Sequence, residues 1–236
     1  MIDVHSHVLP RMDDGSSGTE VSMRMLRTSF SQGVDTVFAT PHFYGHRESP
    51  ASFLERREKA FSRLPLEEEG LPRVYAGAEV YYFESMSHCD DLRRLTLQGS
   101  SYILLEMPFI RWSDHIISEV LNVRERLHLT PYLAHIERYF KLQRGTNYIQ
   151  QLMEEQLILQ CNAEFFLDSG FFGTGKKAMK LLEEGKIHLL GSDMHNMSSR
   201  PPNLGDAWQL ILEKKGPAQL NNVDQLSRHM LKGIEL

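Results

Sequence analysis

Side chains two residues apart on an extended segment project to one side, and His5-Ser6-His7, directly behind the apolar start Met1-Ile2-Asp3-Val4, has that spacing. Two imidazoles so placed can grip one metal ion. Other titratable residues close short apolar, β-branched stretches further on: His42, Glu79, Glu106, His135, and Asp193 with His195. With Asp14 from the loop Val8 to Gly18, these make five imidazoles and four carboxylates. Such a nitrogen and oxygen set suits Mn²⁺, Fe²⁺ or Zn²⁺ and lacks the thiolates of a structural zinc site. Nine ligands are too many for one ion, so two or three ions, some sharing a bridging carboxylate, are the natural division. Asp13 and Asp14 compete for the loop position, and Asp13-Asp14-Gly15 is also a good turn. Arg138 and Arg200 stand just beyond two of the ligand segments. A planar guanidinium beside metal ions is a good partner for a phosphoryl group.

These residues need elements to position them. Strand-like stretches run over Val34 to Thr40, Arg73 to Ala78, Tyr102 to Leu105, Thr130 to Ala134, Leu157 to Cys161 and Ile187 to Gly191, after the opening strand. Helical stretches are expected from Thr19 up to Gly33, from Pro50 to Leu64, Glu84 to Leu95, Ser113 to Leu127, Asn147 to Glu155 and Lys176 to Glu184, and after Asp206 and Asn222. Strands alternating with helices predict successive βα units and a parallel sheet. Because the polar candidates sit at the C-terminal ends of nearly all strands, a closed barrel, where those ends converge, explains them better than an open sheet. The expected fold is therefore α/β, a distorted seven-stranded (β/α) barrel in a single domain over residues 1–236. His46, His88, His115, His128, His188 and His229 fall in helices, loops or mid-strand and are read as structural.

Bulk properties exclude some functions. A net charge of -5 offers no general attraction for nucleic acid or an anionic membrane. No basic segment followed by an apolar run opens the chain, and no window approaches the ~20 apolar residues of a spanning helix, so neither a leader nor membrane insertion is expected. Cys89 and Cys161 form no C-x-x-C and suit a reducing cytoplasm. Neither begins the C-x5-R of cysteine phosphatases, since Leu95 and Leu167 occupy the arginine positions.

The motifs together resemble a known family. D-x-H-x-H at the N-terminus, L-P-x-x-D-D-G in the first loop, A-T-P-H at 39–42, the strand ends Glu79 and Glu106, H-x-E-R-Y at 135–139 and S-D-x-H-N at 192–196 are similar to the PHP (polymerase and histidinol phosphatase) superfamily. Within it they resemble the bacterial capsule-associated protein-tyrosine phosphatases. The resemblance implies three divalent ions, commonly Mn²⁺, and hydrolysis of phosphotyrosine on a cognate bacterial tyrosine kinase. It further implies that His5, His7, Glu79 and Asp193 hold one ion, Glu79, Glu106 and His135 a second, and Asp14, His42 and His195 a third. Arg138 and Arg200 would bind phosphate; on chemical grounds a tyrosine leaving group could be assisted by metal or by a site histidine such as His42. Ile136 stands where the family usually has proline, and Glu164-Phe165 follow Asn162-Ala163 where it tends to have Gly-Ser. Neither departure replaces a ligand. The same ligands would serve a small-molecule phosphatase of the histidinol-phosphate type, or a non-catalytic metal-binding module, although no ligand is missing. Aromatic residues after the ligands, among them Tyr44, Phe83 and Phe109, are expected to choose an aryl phosphate.

Overall fold

The computed structural model describes residues 1–168 and 174–235, the side chains of 233–235 excepted. Among these residues, nine short strands alternate with helices. The strands are β1 (Ile2–Ser6), β2 (Thr36–Ala39), β3 (His42–Tyr44), β4 (Arg73–Ala76), β5 (Glu79–Tyr81), β6 (Tyr102–Glu106), β7 (Thr130–Leu133), β8 (Ile158–Asn162) and β9 (Leu189–Gly191). The helices are α1 (Thr19–Ser31), α2 (Pro50–Phe61), α3 (Asp114–Leu127), α4 (Tyr148–Glu154), α5 (Glu164–Leu167), α6 (Gly175–Glu183), α7 (Leu204–Lys215) and α8 (Ala218–Glu235).

All pairings are parallel, in two sheets ordered β1-β2-β4 and β3-β5-β6-β7-β8-β9. This is the α/β class that the alternation predicts. Two of the expected continuous strands are interrupted. Between β2 and β3 stand Thr40 and Pro41, and proline has no N–H to give to a ladder. Between β4 and β5 stand Gly77 and Ala78, beside which Gln98 donates its N–H to the Ala76 carbonyl, wedging a loop against β4. The N-terminal pieces pair toward β1 and the C-terminal pieces toward β6, so the chain passes from one sheet to the other at these breaks.

Tyr132 on β7 donates its hydroxyl to the Val4 carbonyl on β1 at 3.0 Å, bridging the two sheets. Val4, Phe38, Leu104, Tyr132 and Leu189, from five strands, share one buried cluster that Met230 and Leu231 of α8 join. A larger apolar layer fills the space under the helices. On the far side, Ser6 pairs with Met194, and Asp193 donates its N–H to the His5 carbonyl. Those bonds lock the start of the chain against the segment after β9.

The helix expected over Glu84 to Leu95 is instead two 3-10 turns, Met86–His88 and Asp90–Arg94. Ser85, with φ of 61°, stands in the left-handed region at the entry to the first. The last two helices begin earlier than expected, at Leu204 and Ala218.

Candidate metal centre

Strand alternation puts Asp3, His5 and His7 on one side of β1 and its extension, while Ser6 turns away to donate to the Phe38 carbonyl at 2.8 Å. His5 Nε2 and His7 Nε2 lie 3.1 Å apart. Glu79, at the start of β5, is fully buried between them and the other rings. Its Oε2 is 3.2 Å from His5 Nε2, 3.1 Å from His7 Nε2 and 3.0 Å from His42 Nδ1, and its Oε1 is 3.0 Å from His135 Nε2. Glu106 approaches His42 Nδ1 at 3.6 Å and His135 Nε2 at 3.5 Å. Asp193 Oδ1 is 3.5 Å from His5 Nε2 and 3.4 Å from His7 Nε2, and Asp14 Oδ1 is 3.5 Å from both His42 Nε2 and His195 Nε2. All nine expected ligands are thus brought to one place.

Hydrogen bonds behind the rings settle which nitrogen faces inward. His5 Nδ1 donates to Gln160 Oε1 at 3.1 Å, His7 Nδ1 to Asp13 Oδ2 at 2.7 Å and His195 Nδ1 to the Asp193 carbonyl at 2.9 Å. Each of these rings therefore points a lone pair on Nε2 into the cluster, as a ligating histidine does when an oxygen acceptor holds its other nitrogen. Asp13 also accepts from the backbone N–H of Gly15 and of His42, so this carboxylate braces the loop and two ligands. Asp14, with 66% of its side chain exposed, is the one turned to the rings.

A divalent cation fits this donor set. Lone pairs aimed at one another repel, and the buried atoms Glu79 Oε2, His42 Nδ1 and His195 Nε2 have no hydrogen-bond partner despite their close neighbours. The approaches to these three atoms are contacts off the hydrogen-bonding axis, whereas His135 Nε2 bonds Glu79 Oε1 at 3.0 Å. Among the described residues, three groups of ligand atoms lie within 4.8 Å of one another: His7, Asp14, His42 and His195; His5, His7 and Asp193; and His42, Glu79 and Glu106. The grouping differs from the implied one at four residues. His7 joins the Asp14 group as well as the His5 group, Glu79 is not grouped with His5, His7 and Asp193, and His42 takes the place of His135 beside Glu79 and Glu106, although His135 Nε2 lies 3.0 Å from Glu79.

Without a cation the charges lean on each other. Burial pushes the Glu79 and Asp193 carboxyls up, but the surrounding imidazoles outweigh it and hold both well below the usual carboxylate range. Burial pulls His135 down, but Glu106 and Glu79 outweigh it and raise the ring to about 9. His135 and Asp193 are also backbone outliers, with φ of 34° and 51° in the left-handed region, which costs about 1–3 kcal/mol each and is typical of functional positions.

Arg138 and Arg200 both reach Asp193, donating from Nη2 to Oδ2 at 2.9 and 2.5 Å. Asn162 Nδ2 donates to the same oxygen at 2.7 Å. Oδ2 is thereby occupied, and Oδ1 is left to the rings. The two arginine side chains remain about one-third exposed, at 36% and 30%. Around the mouth, the Phe109 ring stacks near His135 with centroids 6.0 Å apart, and Tyr44 lies 5.3 Å from His42 and 5.7 Å from Tyr81. Phe83 is not among these rings: it packs on Phe43 and against Gly45.

Two further residues hold the ligands from behind. Asp3 is buried beneath His5 and takes both the N–H and the hydroxyl of Ser192; its place follows from the same alternation that singles out His5 and His7. Gln160 holds His5 and the His135 N–H through one oxygen. Glu164, one of the departures from the family pattern, is exposed on α5.

The chain is similar to the tyrosine-protein phosphatase CpsB of Streptococcus pneumoniae, 34% identical over 228 residues that cover 92% of this chain and 91% of that protein. It is similar to the tyrosine-protein phosphatase YwqE of Bacillus subtilis (strain 168), 32% identical over 228 residues, covering 93% and 87%. Its fold superposes with a TM-score of 0.83, at 26% identity over 99% of this chain and 95% of the other, on a chain from the crystal structures of YwqE and CpsB, described as unique metal-dependent tyrosine phosphatases. The model of the family "Capsular polysaccharide synthesis, CpsB/CapC" matches residues 1–228, and the chain belongs to that family.

Proposed function

We propose that this protein is a metal-dependent protein-tyrosine phosphatase that acts on a phosphotyrosine-bearing protein, a bacterial tyrosine kinase of capsule or exopolysaccharide synthesis. The observation that carries the reading is the convergence of nine nitrogen and oxygen ligands, with buried Glu79 among four imidazoles and two partly exposed arginines at the edge. The names of the similar proteins support the substrate class. We read the two sheets as one distorted seven-stranded barrel, supported by the Tyr132 to Val4 bond and the Ser6 to Met194 pairing, and residues 1–236 as one phosphoesterase domain. Two unpaired cysteines support a cytoplasmic setting, and no helix among the described residues is long and apolar enough to cross a membrane.

His5, His7, Glu79 and Asp193, Glu79, Glu106 and His135, and Asp14, His42 and His195 would hold three divalent ions, with Mn²⁺ the proposed metal and Fe²⁺ or Zn²⁺ the alternatives. When bound, such ions supply positive charge to phosphoryl oxygens and a water acidic enough to ionise near neutral pH. The chain's own residues set the rest. Asp13 and Gln160 keep His7 and His5 in the tautomer that presents Nε2. Arg138 and Arg200 exchange part of their grip on Asp193 for the phosphoryl oxygens, which suit paired N–H donors. The leaving phenolate has a free pKa of about 10 and needs little protonation, and a His42 that offers both its nitrogens to the cluster has no proton to give, so solvent at the mouth supplies it. Cysteine takes no part: Cys161 is fully buried, and burial pushes its thiol up, away from a reactive thiolate.

The test is kcat/KM on matched phosphotyrosine and phosphoserine peptides and on histidinol phosphate, with Mn²⁺ present. Phosphotyrosine should be favoured by about 1 to 3 kcal/mol, the worth of an apolar contact to the ring. Equal rates on the two peptides, or a preference for histidinol phosphate, would transfer the reading to a general or small-molecule phosphomonoesterase.

A further inference from the structure

A cavity of about 440 Å³ opens beside the metal cluster, with Asp14 and His42 at one end and Tyr44, Arg47, Glu48 and Arg56 at the other. Its size falls in the range of about 300–1,000 Å³ that ligand pockets occupy. The charges that line it are nearly all committed. Glu48 receives Arg56 through both oxygens, at 2.6 and 3.1 Å, and Arg56 also donates to the Met12 carbonyl. Asp13 is held by His7, Gly15 and His42, and Asp14 faces His42 and His195.

Arg47 is the exception. It is exposed, and among the described residues no carboxylate stands at ion-pair distance from it. Its guanidinium is nevertheless held in place, 4.4 Å from the centroid of the Tyr44 ring. That ring is itself braced by His42, His46 and Tyr81, at centroid distances of 5.3, 5.8 and 5.7 Å. A positioned cation without an anion therefore stands along the path that leads out from the metal ligands.

We infer that Arg47 recognises a carboxylate side chain flanking the phosphotyrosine, so that the protein selects acidic over basic peptide sequence beside the phosphate. The inference rests on the phosphatase reading, since a phosphate at the cluster is what sends the adjoining peptide past Tyr44 and Arg47. A guanidinium fork matches a carboxylate, and a lysine at the same place would be repelled. Both partners are solvated, so the discrimination is modest and sensitive to salt.

The test uses fluorescein-labelled peptides that carry a non-hydrolysable phosphonomethyl-phenylalanine flanked by glutamates, alanines or lysines, titrated with Mn²⁺-loaded protein by anisotropy. At low ionic strength the glutamate peptide should bind about three- to tenfold more tightly than the lysine peptide, and the ratio should shrink toward one in high salt. Arg47→Ala should bring the ratio close to one, and Arg47→Glu should invert it. Because each ratio compares two ligands on one protein, a general loss of affinity in a variant leaves it readable. An equal Kd for the two peptides on the wild type, a ratio that survives Arg47→Ala, or no binding of any peptide would overturn the role of Arg47. Phosphate release from the matching phosphotyrosine peptides is measured in parallel. Failure of release with the ranking intact would overturn the phosphatase reading and leave the acidic preference standing.

Discussion

Asp13 and Asp14 carry the same carboxyl group one residue apart, yet burial sends one to brace the ligands and leaves the other to face them. Asp13 accepts from His7 Nδ1 at 2.7 Å, whereas Asp14 is two-thirds exposed and lies 3.5 Å from His42 and His195. Asp13→Asn is therefore expected to weaken metal binding by roughly 10- to 100-fold, the scale for lost outer-shell partners. Competition against a fluorescent chelator measures it, and wild-type affinity in the variant would remove Asp13 from this role. Arg200→Ala should behave oppositely, keeping its metal while kcat/KM falls by roughly 10²-fold or more, as when a donor to the transition state is deleted. Equal metal loss in the two variants would contradict the division of labour. The histidines were legible in the sequence because a period of two puts His5 and His7 on one side. Asn162, at the end of a strand, was open to a reading as a hydrogen-bonding partner of the site, but Gln160 was not legible, since a mid-strand amide carries no chemical signature until its neighbours are known. Phe83 was misplaced for a similar reason: whether a ring following a strand turns to the mouth or under the loop depends on packing that composition does not reveal.

At the scale of elements, close backbone approach decides what the strands tolerate. Gly191 on β9 lies so near β1 that an added Cβ would stand 2.7 Å from the His5 Cβ and 3.0 Å from Gln160 Nε2. Gly191→Ala should then cost about 1–3 kcal/mol in urea unfolding through overpacking, and should reduce metal affinity because the atoms displaced are those that hold His5. A stability unchanged within error would mean that the strands separate more readily than this packing implies. Just before β9, His188 Nδ1 accepts the Leu159 N–H of β8 at 2.9 Å, and burial lowers its pKa from 6.5. Near and below that pH the unfolded chain binds a proton that the folded ring refuses, so this contribution to stability is present above pH 6.5 and is lost as pH falls below it. His188→Asn keeps an acceptor and removes the titration; its Tm should decline less between pH 7.5 and 5.5 than that of the wild type. Identical declines would place the acid sensitivity elsewhere. The alternation of elements was plain in the sequence, but the breaks at Thr40-Pro41 and Gly77-Ala78 were not, because each is only two residues long within an otherwise strand-like run.

For the whole molecule, the cluster is an electrostatic cost that the surrounding fold has to carry. Five imidazoles and four carboxylates meet where β1, β3, β5 and β6 end or begin and where the segments after β7 and β9 close over them, and all but Asp14 and His42 are buried. Two of these ligands also hold strained backbone, at His135 and Asp193. The apolar clusters beneath owe nothing to the site, since Val4, Phe38, Leu104, Tyr132 and Leu189 pack among themselves and with α8. The fold should therefore survive without metal, but less stably. Ions that bind the folded chain alone stabilise it by RT ln(1 + [L]/Kd), about 2.7 kcal/mol at a hundredfold excess over Kd. Chelator should accordingly lower Tm by several degrees and abolish phosphate release while far-ultraviolet circular dichroism at 25 °C keeps its α/β shape; Mn²⁺ should restore both. In a Cys89→Ser, Cys161→Ala protein the same cycle of loss and recovery should be seen, because neither thiol enters the site. A Tm indifferent to chelator would mean that the buried ligands are satisfied by one another. Loss of the circular dichroism signal on chelation would instead mean that the apolar interior cannot hold the strands together unaided.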